Sequence, residues 1–297
     1  MARLPTWIRL SLNTDQHFSH VHGSVKNHSL HTVCESAKCP NRHECWNRGT
    51  ATLMLLGDVC TRACSFCAIK AGRPGELDAD EPKRAAQAAK EMKLNYVVLT
   101  SVARDDLPDG GAGVFAETIR EIRKEVPGAS VEVLTPDFEG LPDLIDIVLE
   151  AHPDVFNHNT ETVARLQPII RPQAAYGRSL SVLKHAAQWQ PDVVVKSGIM
   201  LGLGEKDDEV LHTLDDMLQV GVDLLTIGQY LQPTRNHPPV QRYVTPEDFE
   251  GLSEKARAMG FKGVASGPLV RSSYRADELL QSALDARELA RQTTAVC

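Results

Sequence analysis

The chain has 297 residues, of which 42% are hydrophobic and 24% are charged, and its formal net charge at pH 7 is −7. This composition is ordinary for a globular protein, and the negative charge argues against general nucleic-acid binding. No stretch approaches the ~20 apolar residues that a membrane span needs, and the N-terminus lacks the apolar core of a secretory signal. We therefore predict a cytoplasmic protein that binds neither nucleic acid nor membranes.

The first 33 residues are polar and show weak periodicity, so we expect an extension that wraps over the body or is partly disordered. Six of the eleven histidines lie in or near this region, and a polar segment gives them no burial. We expect most of them to be solvated. Their positions are 17, 20, 22, 28, 31 and 43.

A first set of three cysteines follows, Cys34, Cys39 and Cys45, with the spacing C-x4-C-x5-C. Alone, it fits an iron–sulfur site and a zinc site completed by His43 or His31 equally well. Clustered cysteines in a large chain without an export signal indicate metal or redox chemistry more than a disulfide framework. The seventh cysteine, Cys297, is interpreted as an incidental exposed thiol.

A second set, Cys60, Cys64 and Cys67, has the spacing C-x3-C-x2-C and follows an apolar run over residues 51–56 that is typical of a buried strand. Three thiolates on so short a loop leave one iron of a [4Fe–4S] cube open to a non-protein ligand. The alternatives are a zinc knuckle and three unrelated buried thiols. The spacing resembles the signature of radical S-adenosylmethionine (SAM) enzymes, whose open iron binds SAM. Because this second set lies close to the first in the sequence, we interpret the first set as an iron–sulfur site and not as a zinc site.

From residue 81 onward, helical patterns alternate with short apolar strands. The helices are predicted over residues 81–94, 111–126, 141–152, 178–190, 207–220 and 246–259, and the strands over 51–59, 96–99, 130–134, 155–156, 193–195 with 199–201, 224–227 and 261–264. Six βα units and a seventh strand predict an α/β fold, a partial (β/α)6 TIM-like barrel. No dinucleotide glycine fingerprint follows any strand, which disfavours a doubly wound sheet.

Three segments follow from this pattern. We predict an N-terminal cysteine-rich extension over 1–50, the partial barrel over 51–265, and a C-terminal segment over 266–297 whose helix, at 277–291, closes one end of the barrel.

Polar residues follow several predicted strands, where a βα barrel places its functional side chains. Two glycines open a helix whose free amides could hold a carboxylate, although a simple turn explains them nearly as well. Polar groups after the fourth strand could bind ribose hydroxyls or an amino group. We predict cofactor binding by Thr100, Gly110, Gly111, Asn157, Asn159, Glu161, Arg171 and Lys196. For the serines of Arg-Ser-Ser-Tyr, residues 271–274, propensity alone favours a helix cap.

Together these strings resemble the lipoyl synthase family. The resemblance rests on the two cysteine sets, on Arg-Asp-Asp-Leu-Pro-Asp-Gly-Gly at 104–111, on Asn-His-Asn-x-Glu-Thr at 157–162 and on Arg-Ser-Ser-Tyr, and it covers about residues 30 to 276. It implies that the second set holds a [4Fe–4S] cluster that cleaves SAM reductively to a 5′-deoxyadenosyl radical. That radical abstracts hydrogen from C6 and C8 of an octanoyl chain on a carrier lysine.

The resemblance also implies that the first set holds an auxiliary [4Fe–4S] cluster, which is consumed as the sulfur donor. A serine of Arg-Ser-Ser-Tyr would be its fourth ligand and would take part in catalysis. The resemblance assigns this role to Ser273. Ser272 is kept as the alternative, because no argument from spacing separates the two serines. The rival interpretations are a biotin synthase-like sulfur inserter, a zinc-binding interaction module and a ferredoxin-type electron carrier.

The implied partners are octanoylated lipoyl carrier domains, of a 2-oxoacid dehydrogenase E2 or of the glycine cleavage H protein, and an electron donor such as ferredoxin or flavodoxin. Carrier domains of this type tend to be acidic, whereas this chain is itself negative. We therefore expect a local basic docking patch, formed by Lys38, Arg42, Arg48 and Arg62.

Overall fold

A computed structural model describes residues 4–9, 16–48, 50–189 and 193–295 of the chain. The strands are β1 (His31–Thr32), β2 (Thr52–Leu55), β3 (Val59–Cys60), β4 (Lys70–Ala71), β5 (Tyr96–Ser101), β6 (Ser130–Leu134), β7 (Val155–Asn157), β8 (Val194–Leu201), β9 (Leu224–Gln229) and β10 (Gly263–Gly267). The helices are α1 (Gln16–Asn27), α2 (Val33–Ser36), α3 (Arg42–Asn47), α4 (Glu81–Glu91), α5 (Ala112–Glu125), α6 (Pro142–Leu149), α7 (Gln167–Ile170), α8 (Tyr176–Trp189), α9 (Asp207–Gln219), α10 (Pro246–Met259) and α11 (Ala276–Ala295).

One curved sheet carries the fold, with the strand order β1-β2-β5-β6-β7-β8-β9-β10. The short β1 runs antiparallel to β2, and every other neighbouring pair is parallel. Within the described residues β10 does not pair with β2, so the barrel is open on that side. Six βα units and a seventh parallel strand are present, which confirms the predicted partial (β/α)6 barrel.

The strands are apolar on both faces because helices cover the outside and the barrel interior is filled. All four residues of β2 are buried, as are all six of β9. The covering helices present apolar stripes at helical spacing: α9 buries Val210, Leu214 and Met217, three and four residues apart. None of the described helices combines the length and the apolar character that a membrane crossing requires.

The described part of the N-terminal extension packs over the body, as the first of the two expectations had it, but residues 16–27 form a helix that was not predicted, α1, which packs on α3 and α4. Val21 and Val25 are buried on its inner face, and the Phe18 ring stacks on His43 with centroids 5.0 Å apart. Two apolar residues four apart are too weak a period to reveal a helix in the sequence. The expectation of mostly solvated histidines was also wrong where they can be judged: His20 is exposed, whereas those at 22, 28, 31 and 43 are half-buried.

The C-terminal helix α11 closes one end of the barrel, as predicted. Its Leu279, Leu280 and Ala283 pack against Val155 and Leu224, the first residues of β7 and β9. This is the amino end of the parallel strands. The carboxyl end, where βα barrels carry their sites, stays accessible.

Gly111 provides a test of the packing at that carboxyl end. It precedes α5 with φ +87°, a left-handed conformation, and a Cβ atom there would overlap the buried side chain of Leu56. Gly111→Ala should therefore lower the free energy of unfolding by about 2 kcal/mol. Gly177→Ala is the matched control, because Gly177 lies in α8 with nothing within 4 Å of its added Cβ. Equal urea-unfolding midpoints for the two variants would contradict this packing.

Candidate functional site

A cavity of about 680 Å³ lies at the carboxyl end of the strands, and both cysteine sets face it. Cys34 and Cys39 line it from the N-terminal extension, Cys60 from the end of β3, and Cys64 and Cys67 from the loop that follows. Cys45 is not part of the lining, but its thiol interacts electrostatically with Cys34 and Cys39. The fold thus brings two sets of thiols that are separate in the sequence to one cavity, which five of the six thiol residues line.

Backbone groups fix the loop that carries the second set. The amides of Arg62 and Ala103 point at Cys60 Sγ, at 3.4 and 3.3 Å. The carbonyl of Cys67 lies 3.0 Å from His237 Nε2, which reaches across from the loop after β9. The loop is therefore held from two sides of the cavity.

Arg62 lies inside this loop and anchors it to the barrel. Its guanidinium is 2.7 Å from Asp105 Oδ1 and 2.7 Å from Asp137 Oδ1, and Asp137 is fully buried. Burial alone would raise the pKa of Asp137, but the hydrogen bond and charge of Arg62 outweigh burial and lower that pKa to about 2. The pair stays ionised at neutral pH and ties the cysteine loop to the segment after β6.

The thiols of Cys34, Cys45 and Cys67 resist ionisation on their own. Burial, followed by repulsion from neighbouring thiolates, raises the pKa of Cys34 to about 11 and that of Cys45 to about 12. Burial likewise raises the pKa of Cys67 to about 12, although a backbone hydrogen bond from Ile69 opposes the rise. Several thiolates in one place therefore need a bound positive metal centre to compensate their charge.

The segment Arg-Ser-Ser-Tyr separates its two serines. Ser273 Oγ accepts a hydrogen bond from Thr52 Oγ1 at 2.9 Å, on the side of the first cysteine set. Ser272 Oγ faces the barrel, where it accepts from Asn157 Nδ2 at 2.8 Å and donates to Asn159 Oδ1 at 3.1 Å. Both hydroxyls bond side chains elsewhere in the fold, which differs from the helix cap that propensity favours.

The residues on either side of the two serines also face the first set. The Arg271 guanidinium lies near the Cys39 thiol, and Tyr274 Oη donates to Glu44 Oε1 at 2.8 Å, next to Cys45. The segment is therefore seated on the first cysteine set, with Ser273 as its serine on that side.

The eight predicted cofactor-binding residues divide into two groups. Thr100, Asn159, Glu161 and Arg171 line the cavity. The cavity lining does not include Gly110, Gly111, Asn157 or Lys196.

Each residue of the second group has another partner or place in the fold. Lys196 Nζ lies 2.9 Å from both carboxylate oxygens of Glu132 in a fully buried pair. Asn157 Nδ2 also donates to this carboxylate. At the start of α5 the Asp109 carboxylate accepts from the amides of Gly111 and Gly113, both at 2.9 Å, so a carboxylate of the chain itself occupies this helix end.

Glu161 has a strained backbone at the edge of the cavity. Its φ is +66°, and its amide and carbonyl bond to Gly198 and Met200 of β8. Arg171 supports the same segment by donating to the carbonyls of Asn159 and Thr160, at 3.0 and 3.2 Å. A rare conformation held by neighbouring structure is typical of a site organised before its ligand binds.

Among the residues of the cavity wall that sequence reasoning missed are Thr52 and Thr135. Thr135 is 5% exposed, and its hydroxyl has no hydrogen-bond partner among the described residues. A buried hydroxyl without a partner, on a residue of a cavity wall, is a candidate ligand contact. The available signal was its place directly after β6.

The basic patch expected for docking is largely neutralised. Arg62 is buried between two aspartates, Arg48 lies 3.0 Å from Glu278, and Arg42 lies 3.8 Å from Glu35. Lys38 is exposed and lines the cavity. The four residues do not form one free cationic surface.

The donor set fits iron–sulfur clusters. Soft thiolates suit iron–sulfur centres, and a cluster binds each thiolate on a separate iron. Among the described residues, no three His, Cys, Asp or Glu side chains are close enough to share one metal ion. The two histidines weighed for zinc have other surroundings: His43 stacks on Phe18, and His31 lies in β1.

The sequence is similar to proteins of known family. Residues 54–217 match the profile of the Radical SAM superfamily. The lipoyl synthase of Rubrobacter xylanophilus is 56% identical over 279 residues, which cover 94% of this chain and 87% of that protein. The lipoyl synthase of Halalkalibacterium halodurans is 51% identical over 295 residues, covering 99% and 97%.

Solved structures show a similar fold at low identity. The FeFe-hydrogenase maturase HydG of Carboxydothermus hydrogenoformans has a TM-score of 0.60 at 16% identity, over 77% of this chain and 56% of that chain. Methylornithine synthase (PylB) has a TM-score of 0.50 at 18% identity, over 64% and 55%. The chain spans about half the length of these two structures, and this likeness concerns the fold alone.

The anchor of the cysteine loop can be tested by replacing its two carboxylates separately. Asp137→Asn should lower the free energy of unfolding by about 2 kcal/mol at pH 7, because it leaves a buried guanidinium poorly compensated. Asp105→Asn should cost less than about 1 kcal/mol, since Asp105 is 29% exposed. Because the pKa of Asp137 is lowered in the folded protein, its contribution to the free energy of unfolding is complete above about pH 4. That contribution is lost as the pH falls towards 2.

Urea unfolding of the reduced, metal-free variants, followed by circular dichroism, measures both differences. A larger loss for Asp105→Asn than for Asp137→Asn would contradict the assignment of Asp137 as the anchor.

Proposed function

The chain belongs to the lipoyl synthase family of the radical SAM superfamily, and from this premise we propose which of its residues carry each part of the reaction. The protein is a radical SAM sulfurtransferase, which inserts sulfur at C6 and C8 of a protein-bound octanoyl-lysine. Its cofactors are SAM and two [4Fe–4S] clusters.

We assign the radical cluster to Cys60, Cys64 and Cys67, and the auxiliary cluster to the first cysteine set together with Ser273. The observation that carries this assignment is the single cavity that both sets face. Bound there, the two clusters and SAM supply reductive cleavage, hydrogen abstraction and the sulfur atoms. The two centres must lie at one cavity because each sulfur is added to the carbon from which the hydrogen was abstracted.

The chain's own residues would bind SAM and exclude water. We propose that Asn159 and Glu161 bind its amino group or ribose hydroxyls, with Thr100 beside them and Arg171 fixing their segment. Burial raises the pKa of Glu161, and the charge of Arg171 opposes that rise. Apolar lining residues, among them Phe66 and Val240, suit an alkyl chain and keep water from reactive carbon centres.

The residues outside the cavity would act as supports. We propose that Gly110 and Gly111 shape the turn into α5, and that Asn157 and Lys196 form a buried polar network under Ser272. We propose that the chain divides into an extension (1–50), a barrel (51–265) and a C-terminal segment (266–297).

The enzyme acts on octanoylated carrier proteins. We propose an E2 lipoyl domain or the glycine cleavage H protein as the carrier, and a ferredoxin or flavodoxin as electron donor. Lys38 supports a docking role, because it is exposed, lines the cavity and carries a charge that would attract an acidic carrier. We further propose a cytoplasmic location, since thiols such as these are kept reduced there.

Replacing each cysteine set separately tests the division of labour. With Cys34, Cys39 and Cys45 changed to alanine, the enzyme should still cleave SAM but should form no lipoyl product. With Cys60, Cys64 and Cys67 changed to alanine, both SAM cleavage and product should fall below detection. Cys297→Ala, outside the described residues, is the control and should behave like the wild type.

Chromatography of SAM products and the intact mass of an octanoylated carrier domain give the two readouts. Sulfur insertion by the variant without the first set, at the wild-type yield per chain, would contradict the assignment.

A further inference from the structure

Thr52 connects a cysteine of the first set to Ser273. It is the first residue of β2, is 5% exposed and lines the cavity. Its Oγ1 hydroxyl donates to Ser273 Oγ at 2.9 Å. On the other side, its backbone hydrogen-bonds the Cys34 thiol, opposing the rise in that thiol's pKa that burial causes.

The position of this hydroxyl is well determined. Thr52 belongs to β2, which lies between β5 and β1 in the sheet. Thr52 pairs with Val98 of β5, and the next residue, Leu53, pairs with Thr32 of β1. A β-branched side chain has few allowed χ1 rotamers, so the strand backbone sets the direction of the hydroxyl. Ser273, in contrast, belongs to an irregular segment between β10 and α11.

We propose that Thr52 is a positioning residue, which orients the Ser273 oxygen towards the auxiliary cluster through the hydrogen bond that it donates. This inference rests on the proposed function, because it takes Ser273 as a cluster ligand. Thr52 itself makes no bond to iron. It sets how readily the serine is held and how readily it is released.

The physical reason is the strength and direction of this hydrogen bond. A serine oxygen that binds iron would carry negative charge, and a hydrogen bond donated to a charged oxygen is charge-assisted and stronger in a buried site than in water. The buried Thr52 hydroxyl, 2.9 Å from Ser273 Oγ, would therefore hold that oxygen in its orientation. Loss of the Thr52 hydroxyl should favour release of the serine.

The test measures iron release to a chelator from anaerobic, cluster-loaded protein without SAM. Ser273→Ala identifies the phase that belongs to the auxiliary cluster, because this variant should accelerate it. Thr52→Val should accelerate the same phase about tenfold, as expected for one hydrogen bond to a charged group. Thr52→Ser keeps the hydroxyl and should stay within about twofold of the wild type.

Two controls separate this role from a loss of packing. Thr118→Val removes another buried hydroxyl, one that bonds the Val114 carbonyl inside α5, and should leave the rate unchanged. Thr52→Val added to Ser273→Ala should have no further effect, since Thr52 acts through the serine. Thr52→Ala is a second hydroxyl-free variant in case the valine variant does not load its clusters.

The outcomes distinguish the two levels of the argument. If Ser273→Ala accelerates release but the hydroxyl-free variants of Thr52 match the wild type, the role of Thr52 is overturned and the serine assignment stands. An additive effect of Thr52→Val on Ser273→Ala also overturns it. If Ser273→Ala leaves iron release unchanged, the assignment of the serine as a ligand fails, and this inference fails with it.

Discussion

The segment before β2 contacts the segment after β10 beside the cavity, and the candidate site depends on that contact. Asn41 Nδ2 donates to the Leu269 carbonyl at 2.6 Å, and Tyr274 donates to Glu44 at 2.8 Å. These contacts bring an N-terminal cysteine set and a C-terminal serine to one wall of a cavity whose other wall is the loop after β3. A site assembled from such distant segments forms only when the whole chain folds, so cluster ligation and folding are coupled.

Buried charged pairs hold the parts of this cavity in register. Arg62 with Asp137 fixes the second cysteine loop, and Lys196 with Glu132 supports Asn157 beneath Ser272. Burying an ion pair costs desolvation energy that its attraction offsets only in good geometry. The fold places such pairs directly behind the cavity walls, where precise placement of the lining residues matters most.

The sequence was sufficient to predict the βα order, the open barrel and the two cysteine sets, because strand and helix periods and ligand spacing are local properties. It could not tell which strand-end side chains face the cavity, since adjacent residues of an extended chain point to opposite sides. Lys196 therefore proved to lie in a buried pair, and the adjacent Ser272 and Ser273 face different partners. Thr52 escaped notice because a threonine that opens an apolar strand has no distinctive pattern until Ser273, 221 residues away, is placed beside it.

The most direct test of the central claim, that both thiol sets of the shared cavity are iron–sulfur sites, is the iron, acid-labile sulfide and zinc content of anaerobically purified protein. We expect iron and sulfide equivalent to two [4Fe–4S] clusters per chain, with no stoichiometric zinc. One cluster together with one zinc per chain would contradict the claim, because the first set would then hold a structural metal and could supply no sulfur.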